Sequence, residues 1–213
     1  MLMEYFDVHT HHTPLSSEQA IYACSIKDVP LVETKMVSVG IHPWNLTEEN
    51  AELQFHWLEE AVKYSNVVAI GECGMDKLHG ISMVIQSDIF KKCIELSERT
   101  SLPVIIHAVK CTEELIRIKK DMRPQSPWII HGFRGNALVA KSLLNQGFYL
   151  SFGEYYQKES MRCTPLDRLF LETDESCIPI EDIYRKAALN YGIPLELLME
   201  SITSNAKKFL FLR

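Results

Sequence analysis

The run "VVAIGE" (residues 67–72) decides how this chain reads. It is apolar or small almost to its end, where it stops at a glutamate. A half-exposed strand alternates polar and apolar residues, whereas a near-continuous apolar run suits a strand covered on both faces, as in a parallel sheet flanked by helices. Seven more short segments share that character: "EYFDVH" (4–9), "AIYACS" (20–25), "MVSVGI" (36–41), "PVIIH" (103–107), "WIIH" (128–131), "FYLSF" (148–152) and "RLFLET" (168–173).

Helical patterns separate them. "TEENAELQFHWLEEAVKYS" (47–65) opens on Thr47 as an N-cap with Asn50 in the first turn. "SMVIQSDIFKKCIELSERTS" (82–101) sets Ile85, Ile89, Cys93 and Leu96 on one stripe. Further helices are expected at 112–121, 136–146, 180–191 and 195–211. Eight parallel strands alternating with helices close most naturally into a (β/α)8 barrel of the TIM type. A chain of 213 residues is near the short end for that fold, so reduced outer helices and rim loops are expected. "TPLSSEQ" (13–19) leaves too little room for a full crossover helix between the first two strands. There is no linker, low-complexity stretch or repeat, and residues 1–213 read as a single domain.

Composition is that of an ordinary globular protein, 46% hydrophobic and 23% charged. No run approaches the ~18–20 apolar residues of a membrane span, and the N-terminus lacks the pattern of a signal peptide. The expectation is a cytoplasmic chain with no membrane partner. A net charge of -6 argues against a broad basic face for nucleic acid, yet leaves room for a phosphate held by cations in a small cleft. The six cysteines form no C-x-x-C pair, which fits reduced thiols better than a zinc ribbon or a redox dithiol.

The chemistry stands at the strand ends. The first strand ends in His9, with His11 two residues on; the fourth ends in Glu72, the fifth in His107, the sixth in His131, and the eighth at Asp174. In a (β/α)8 barrel these ends share the face that carries the active site. Four imidazoles and two carboxylates are costly to cluster without a cation among them. The number of candidate ligands points to two divalent ions, with zinc, manganese, nickel or iron better suited to so much histidine than magnesium. A metal pair ~3.5–4 Å apart is commonly held by a bridging carboxylate. Glu72, between the two halves of the set in strand order, is the expected bridge.

These residues sit in motifs that carry a resemblance. "DVHTH" (7–11), "GIHP" (40–43), "AIGECGMD" (69–76), "PVIIH" (103–107), "IIHGFRG" (129–135) and "DRLFLETD" (167–174) resemble, in order, the motifs of the TatD family. That family comprises metal-dependent hydrolases and deoxyribonucleases within the amidohydrolase group. Gln86, Phe90 and "SNAKKFL" (204–210) fit its pattern too, so the resemblance spans nearly the whole chain. It implies a (β/α)8 barrel with two divalent metals that hydrolyses phosphodiester bonds in nucleic acid, with DNA ends as the expected substrate. It also implies His9, His11, Glu72, His107, His131 and Asp174 as metal ligands. Asp174 and Glu72 are the candidate catalytic residues, with Asp174 orienting and deprotonating the attacking water. His42 in "GIHPW" and Arg134 in "HGFRG" are candidate substrate contacts. Asp7 reads either as orienting a histidine or as a buried aspartate bonded to the backbone. The aromatic residues of "FGEYY" (152–156) read as stacking a base or packing the seventh loop.

The chain departs from the family pattern in three places. "TPLSSEQ" is short, "CIPIEDIYRKAA" passes almost directly from "ETDES" into helix, and "HAVKC" has Val109 where a basic residue is expected, with Lys110 next. A shortened rim keeps other substrates open: a small phosphoester, an amide or a lactone. Amidohydrolases of that kind often add a lysine at strand four, and "VVAIGECG" has none. A histidinol-phosphatase-like barrel also opens on H-x-H, but its further ligands have no counterpart in this order. A non-catalytic metal-binding scaffold is the remaining alternative; a structural site closes with four ligands, and six are available here.

Overall fold

The computed structural model describes residues 4–12, 19–29 and 35–210. Its centre is one eight-stranded sheet, parallel throughout and in chain order: β1 (Asp7–Thr10), β2 (Ala20–Ala23), β3 (Val37–Val39), β4 (Val67–Asp76), β5 (Val104–Val109), β6 (Trp128–Ile130), β7 (Tyr149–Phe152) and β8 (Leu169–Leu171). The sheet curls back on itself. A parallel bridge pairs Thr10 with Asp174, joining the chain just past β8 to β1. All eight expected strands are present, in a (β/α)8 barrel.

Burial explains the unbroken apolar runs. Val104, Ile105 and Ile106 are fully buried in succession, as are Leu169, Phe170 and Leu171. Alternate residues face the barrel interior and the surrounding helices, so both faces of these segments are apolar. β4 departs from expectation by continuing past Glu72 to Asp76. A register shift between Ile70 and Cys73 restores pairing with β5 as far as Asp76 opposite Val109. Gly40 matters here, because a Cβ on it would sit 2.5 Å from the Glu72 carbonyl oxygen, so only glycine lets the end of β3 lie against β4 at this point.

The helices are α1 (Ala51–Ala61), α2 (Met83–Thr100), α3 (Thr112–Met122), α4 (Ala137–Leu144), α5 (Lys158–Arg162), α6 (Ile180–Tyr191) and α7 (Leu195–Leu210). α1 starts later than Thr47. Thr47 and Asn50 exchange hydrogen bonds, amide to side chain, at 2.9 and 3.2 Å, which makes a turn ahead of the helix and leaves Asn50 at the cap. α2 buries Ile89, Cys93 and Leu96 and ends on Ser101 in the left-handed region at φ 55°. α4 opens on Asn136, whose side-chain oxygen accepts the amides of Leu138 and Val139. α5 is a single short turn with no counterpart in the sequence pattern. Among the described residues no α-helix lies between β2 and β3; "TPLSSEQ" falls, except for Gln19, outside them.

Two side chains fasten the last helices over the seam. The Tyr184 hydroxyl of α6 donates to the Phe6 carbonyl at 2.8 Å and accepts the Phe6 amide at 3.1 Å. Asn205 of α7 donates to the carbonyls of Leu166 and Leu169 at 2.7 and 2.9 Å. The six cysteines are unpaired. No helix among the described residues is long and apolar enough to cross a membrane.

Candidate metal centre

The site grows out of β1. With side chains alternating along a strand, Asp7 and His9 share one side of β1 and Val8 takes the other. His9 is fully buried. Past the strand, the His11 amide donates to the Asp174 carbonyl, and the Asp174 amide to the His9 carbonyl, both at 3.0 Å. The barrel seam therefore sets His9, His11 and Asp174 together. Asp174 has φ 54°, a left-handed conformation that aspartate tolerates better than most residues.

Glu72 lies at the middle of the cluster and divides it. Its Oε2 faces His9 Nε2 at 3.4 Å and His11 Nε2 at 3.6 Å. Its Oε1 faces His131 Nε2 at 2.7 Å, His107 Nδ1 at 2.8 Å and His42 Nε2 at 3.2 Å. Asp174 Oδ1 stands 3.7 Å from His9 Nε2 and 3.6 Å from His11 Nε2. His9, His11 and Asp174 offer three ligand atoms within 4.8 Å of one another; so do His9, Glu72 and His131, and so do His42, Glu72 and His107. All six residues expected at the strand ends are thus brought together.

The two further candidates fall in different places. His42 joins the cluster itself, its Nε2 also 3.3 Å from His107 Nδ1. Arg134 stands apart from it, lining a cavity of about 290 Å³ that reaches Asp174, with its guanidinium 5.7 Å from the Tyr155 ring centre. In "FGEYY", Phe152 and Tyr156 pack against each other while Tyr155 is exposed under Arg134. On the opposite side of the mouth a larger cavity, about 730 Å³, reaches from His11 and Glu72 to Lys27 and Trp57.

Asp7 resolves to the plainer of its two readings. Its carboxylate accepts the amides of His9 and Thr173 at 3.3 and 3.1 Å and the Thr173 hydroxyl at 2.6 Å, bonds to backbone and hydroxyl and not to a ring nitrogen. Burial pushes its pKa up to about 7, against the opposing pull of those bonds. Two acidic residues that sequence reasoning passed over do face imidazoles. Glu172 is fully buried, accepts the Gly132 amide, and places Oε1 3.5 Å from His131 Nδ1. Asp76 sets Oδ2 3.3 Å from His107 Nε2. A carboxylate behind a ligating histidine fixes ring orientation and tautomer. The available signal was an acidic residue inside an apolar run, in "LFLET" and in "GECGMD".

Burial alone would raise Glu72, but His131, His107 and His11 outweigh it and hold its carboxyl well below the usual range. His11 is raised mainly by its bond to Glu72. His131 is also raised: burial opposes its charge, and the fields of Glu72 and Glu172 overcome that. Asp174 is raised by burial and by Glu172. His9 Nε2, which faces Glu72 Oε2 and Asp174 Oδ1, is buried with no hydrogen-bond partner. Buried polar atoms left unpaired cost about 1–3 kcal/mol each, and nitrogens that converge on carboxylates are what a divalent cation would satisfy. The residues present fit metal binding.

Comparison with known proteins points the same way. Residues 26–210 match the family model of TatD related DNases. The chain is 35% identical over 146 residues to the uncharacterized metal-dependent hydrolase YabD of Bacillus subtilis, covering 64% of this chain and 57% of that protein. It is 31% identical over 175 residues to an uncharacterized metal-dependent hydrolase of Buchnera aphidicola from Baizongia pistaciae, covering 75% and 64% respectively. The matches thus span about three fifths of these relatives' own lengths. Among solved structures, the TatD homologue YjjV of Escherichia coli superposes with a TM-score of 0.82 at 17% identity over the full length of both chains. A TatD family hydrolase from Entamoeba histolytica gives 0.81, also at 17% identity and full coverage.

Proposed function

The chain belongs to the family of TatD related DNases, and on that premise we propose that it is a metal-dependent phosphodiesterase that shortens DNA from an end. The observation that carries the reading is the division of Glu72 between two imidazole sets, Oε2 toward His9 and His11 and Oε1 toward His107 and His131. One divalent ion would be held by His9, His11, Asp174 and Glu72, the other by His107, His131 and Glu72. When bound, such ions acidify a water and offset charge on the phosphate.

The chain's own residues do the rest. Asp174, at the edge of the cluster beside His9 and His11, accepts the proton of the attacking water. Arg134, at the cavity beside Asp174, grips a phosphate through two parallel N–H bonds. His42 stands at the opposite edge of Glu72, within reach of a substrate oxygen. Glu172 and Asp76 hold His131 and His107 in orientation.

The test is digestion of single-stranded DNA labelled at the 3′ or the 5′ end, with manganese or magnesium, comparing wild type with Asp174→Asn. The expected result is stepwise shortening from one end, reduced about 10²–10⁴-fold in the variant, the range for losing a general base. Intact DNA in the wild-type reaction, with bound metal verified by elemental analysis, overturns the reading in favour of a small phosphoester, amide or lactone.

A further inference from the structure

Trp44 lies in the 3-10 turn Pro43–Asn45, directly after β3, and is 57% exposed. Tryptophan carries a large apolar surface that folding usually covers, and this one is left open beside the metal centre. It is not loose. Its indole N–H donates to Asp76 Oδ2 at 2.8 Å, and its main-chain amide donates to His42 Nδ1 at 3.2 Å. Asp76 is only 1% exposed and is itself fixed, accepting the amides of Leu78 and His79 while its own amide donates to Gln86. The indole packs against His42, His79 and His107 at interplanar angles of 85°, 61° and 76°, with ring centres 5.0, 5.2 and 5.7 Å apart.

The indole's one polar atom is satisfied from within, three imidazoles pack against it, and apolar ring surface is exposed next to His42 and His107 of the cluster around Glu72. Packing does not require such an arrangement, and a flat ligand can use it. We propose that Trp44 is a stacking platform for a nucleobase of the substrate, a specificity element that favours nucleotides over plain esters; this rests on the phosphodiesterase reading above. The net charge of -6 supports it. That charge argues against a broad basic face for the backbone beyond the site itself, and base stacking, which every base offers through its π-face, adds affinity that needs no such face.

The test compares wild type, Trp44→Ala and Trp44→Phe on two short single-stranded oligonucleotides, one normal and one carrying abasic residues at the cleaved end. KM, binding by fluorescence anisotropy and metal content are all measured. Stacking predicts that Trp44→Ala weakens binding and raises KM about 10-fold on the normal strand, within a range of roughly 5- to 150-fold. It also predicts unchanged metal content, substantial rescue by Trp44→Phe, and no penalty on the abasic strand. An equal penalty on both strands overturns the proposal, as does no penalty on either. Failure of Trp44→Phe to rescue, with metal lost, also overturns it and makes Trp44 a prop for Asp76. If wild type binds but cleaves neither strand, the phosphodiesterase reading fails on its own. The anisotropy comparison then still decides the platform, kept by a base-dependent loss in Trp44→Ala and overturned by its absence.

Discussion

The Asp174 amide donates to the His9 carbonyl at 3.0 Å, so a residue just past the last strand is hydrogen-bonded to the end of the first. The reciprocal bond from His11 to the Asp174 carbonyl completes a parallel bridge. Barrel closure and assembly of the candidate metal centre are therefore one structural event. A change that loosens the seam is felt at the site.

Asp7 is the side chain that stitches this seam from inside, and removing it tests the link. Asp7→Ala leaves the Thr173 amide without its acceptor in a buried place, and the expected cost is about 2–4 kcal/mol for several buried bonds lost together. Asp7→Asn keeps an acceptor oxygen and costs less. Urea unfolding of the three proteins measures the order wild type, Asn, Ala; equal midpoints would show that the helices, through Tyr184, close the barrel without Asp7.

Metal binding is expected to depend on Glu72 more than on any one histidine, since each of its oxygens faces a different imidazole set. Glu72→Gln is expected to lower the metal content of both halves, whereas His11→Ala, at the exposed edge, depletes one. Elemental analysis after dialysis distinguishes them. Chelation of the wild type should lower its melting temperature, because a ligand that binds only the folded state stabilises it. The chelator shift should be smaller in Glu72→Gln.

Arg134 lies outside the cluster but beside Asp174, so its removal separates substrate binding from metal binding. Arg134→Ala is expected to raise KM for a phosphodiester about 10-fold, the scale of one charge-assisted bond pair, and to leave metal content unchanged. Unaltered kinetics would place the phosphate elsewhere.

One titration belongs to the fold and not to the site. Lys119 of α3 lies over the rings of Trp128 and Phe148, 4.3 and 4.8 Å from their centres, and burial lowers its pKa from 10.5 to about 8. The folded state therefore binds fewer protons than the unfolded chain between those values, and stability rises with pH across that window. Below pH 8 both states are protonated and the full penalty is present. Urea unfolding at pH 7.5 and pH 10 should show the wild type gaining on the order of 1–3 kcal/mol relative to Lys119→Met, which has no charge to desolvate. Parallel pH profiles for the two proteins would mean that the ammonium stays hydrated.

Much of the architecture was legible in local pattern. Buried parallel strands are short and apolar on both faces, so "VVAIGE", "PVIIH" and "RLFLET" announced themselves, and each ended in or beside a residue of the site. The prolongation of β4 to Asp76 was not legible, because it depends on a register shift against β5 that no run of residues encodes by itself. The start of α1 was missed by one turn for a related reason: Thr47 is a good cap, but it caps Asn50 in a preceding turn.

By itself the sequence determined which residue types stand at the strand ends, and hence that histidines and carboxylates would meet at one mouth. Run length and side-chain alternation are properties of the local backbone. Only the tertiary structure decided that Glu72 turns one oxygen to each imidazole set, that Glu172 and Asp76 back His131 and His107, and that Asp7 bonds to Thr173 across the seam. It also decided that Trp44 is held open beside the centre. Those relations join residues far apart in the chain, and their distances depend on sheet register and on how the barrel closes, which no single stretch specifies.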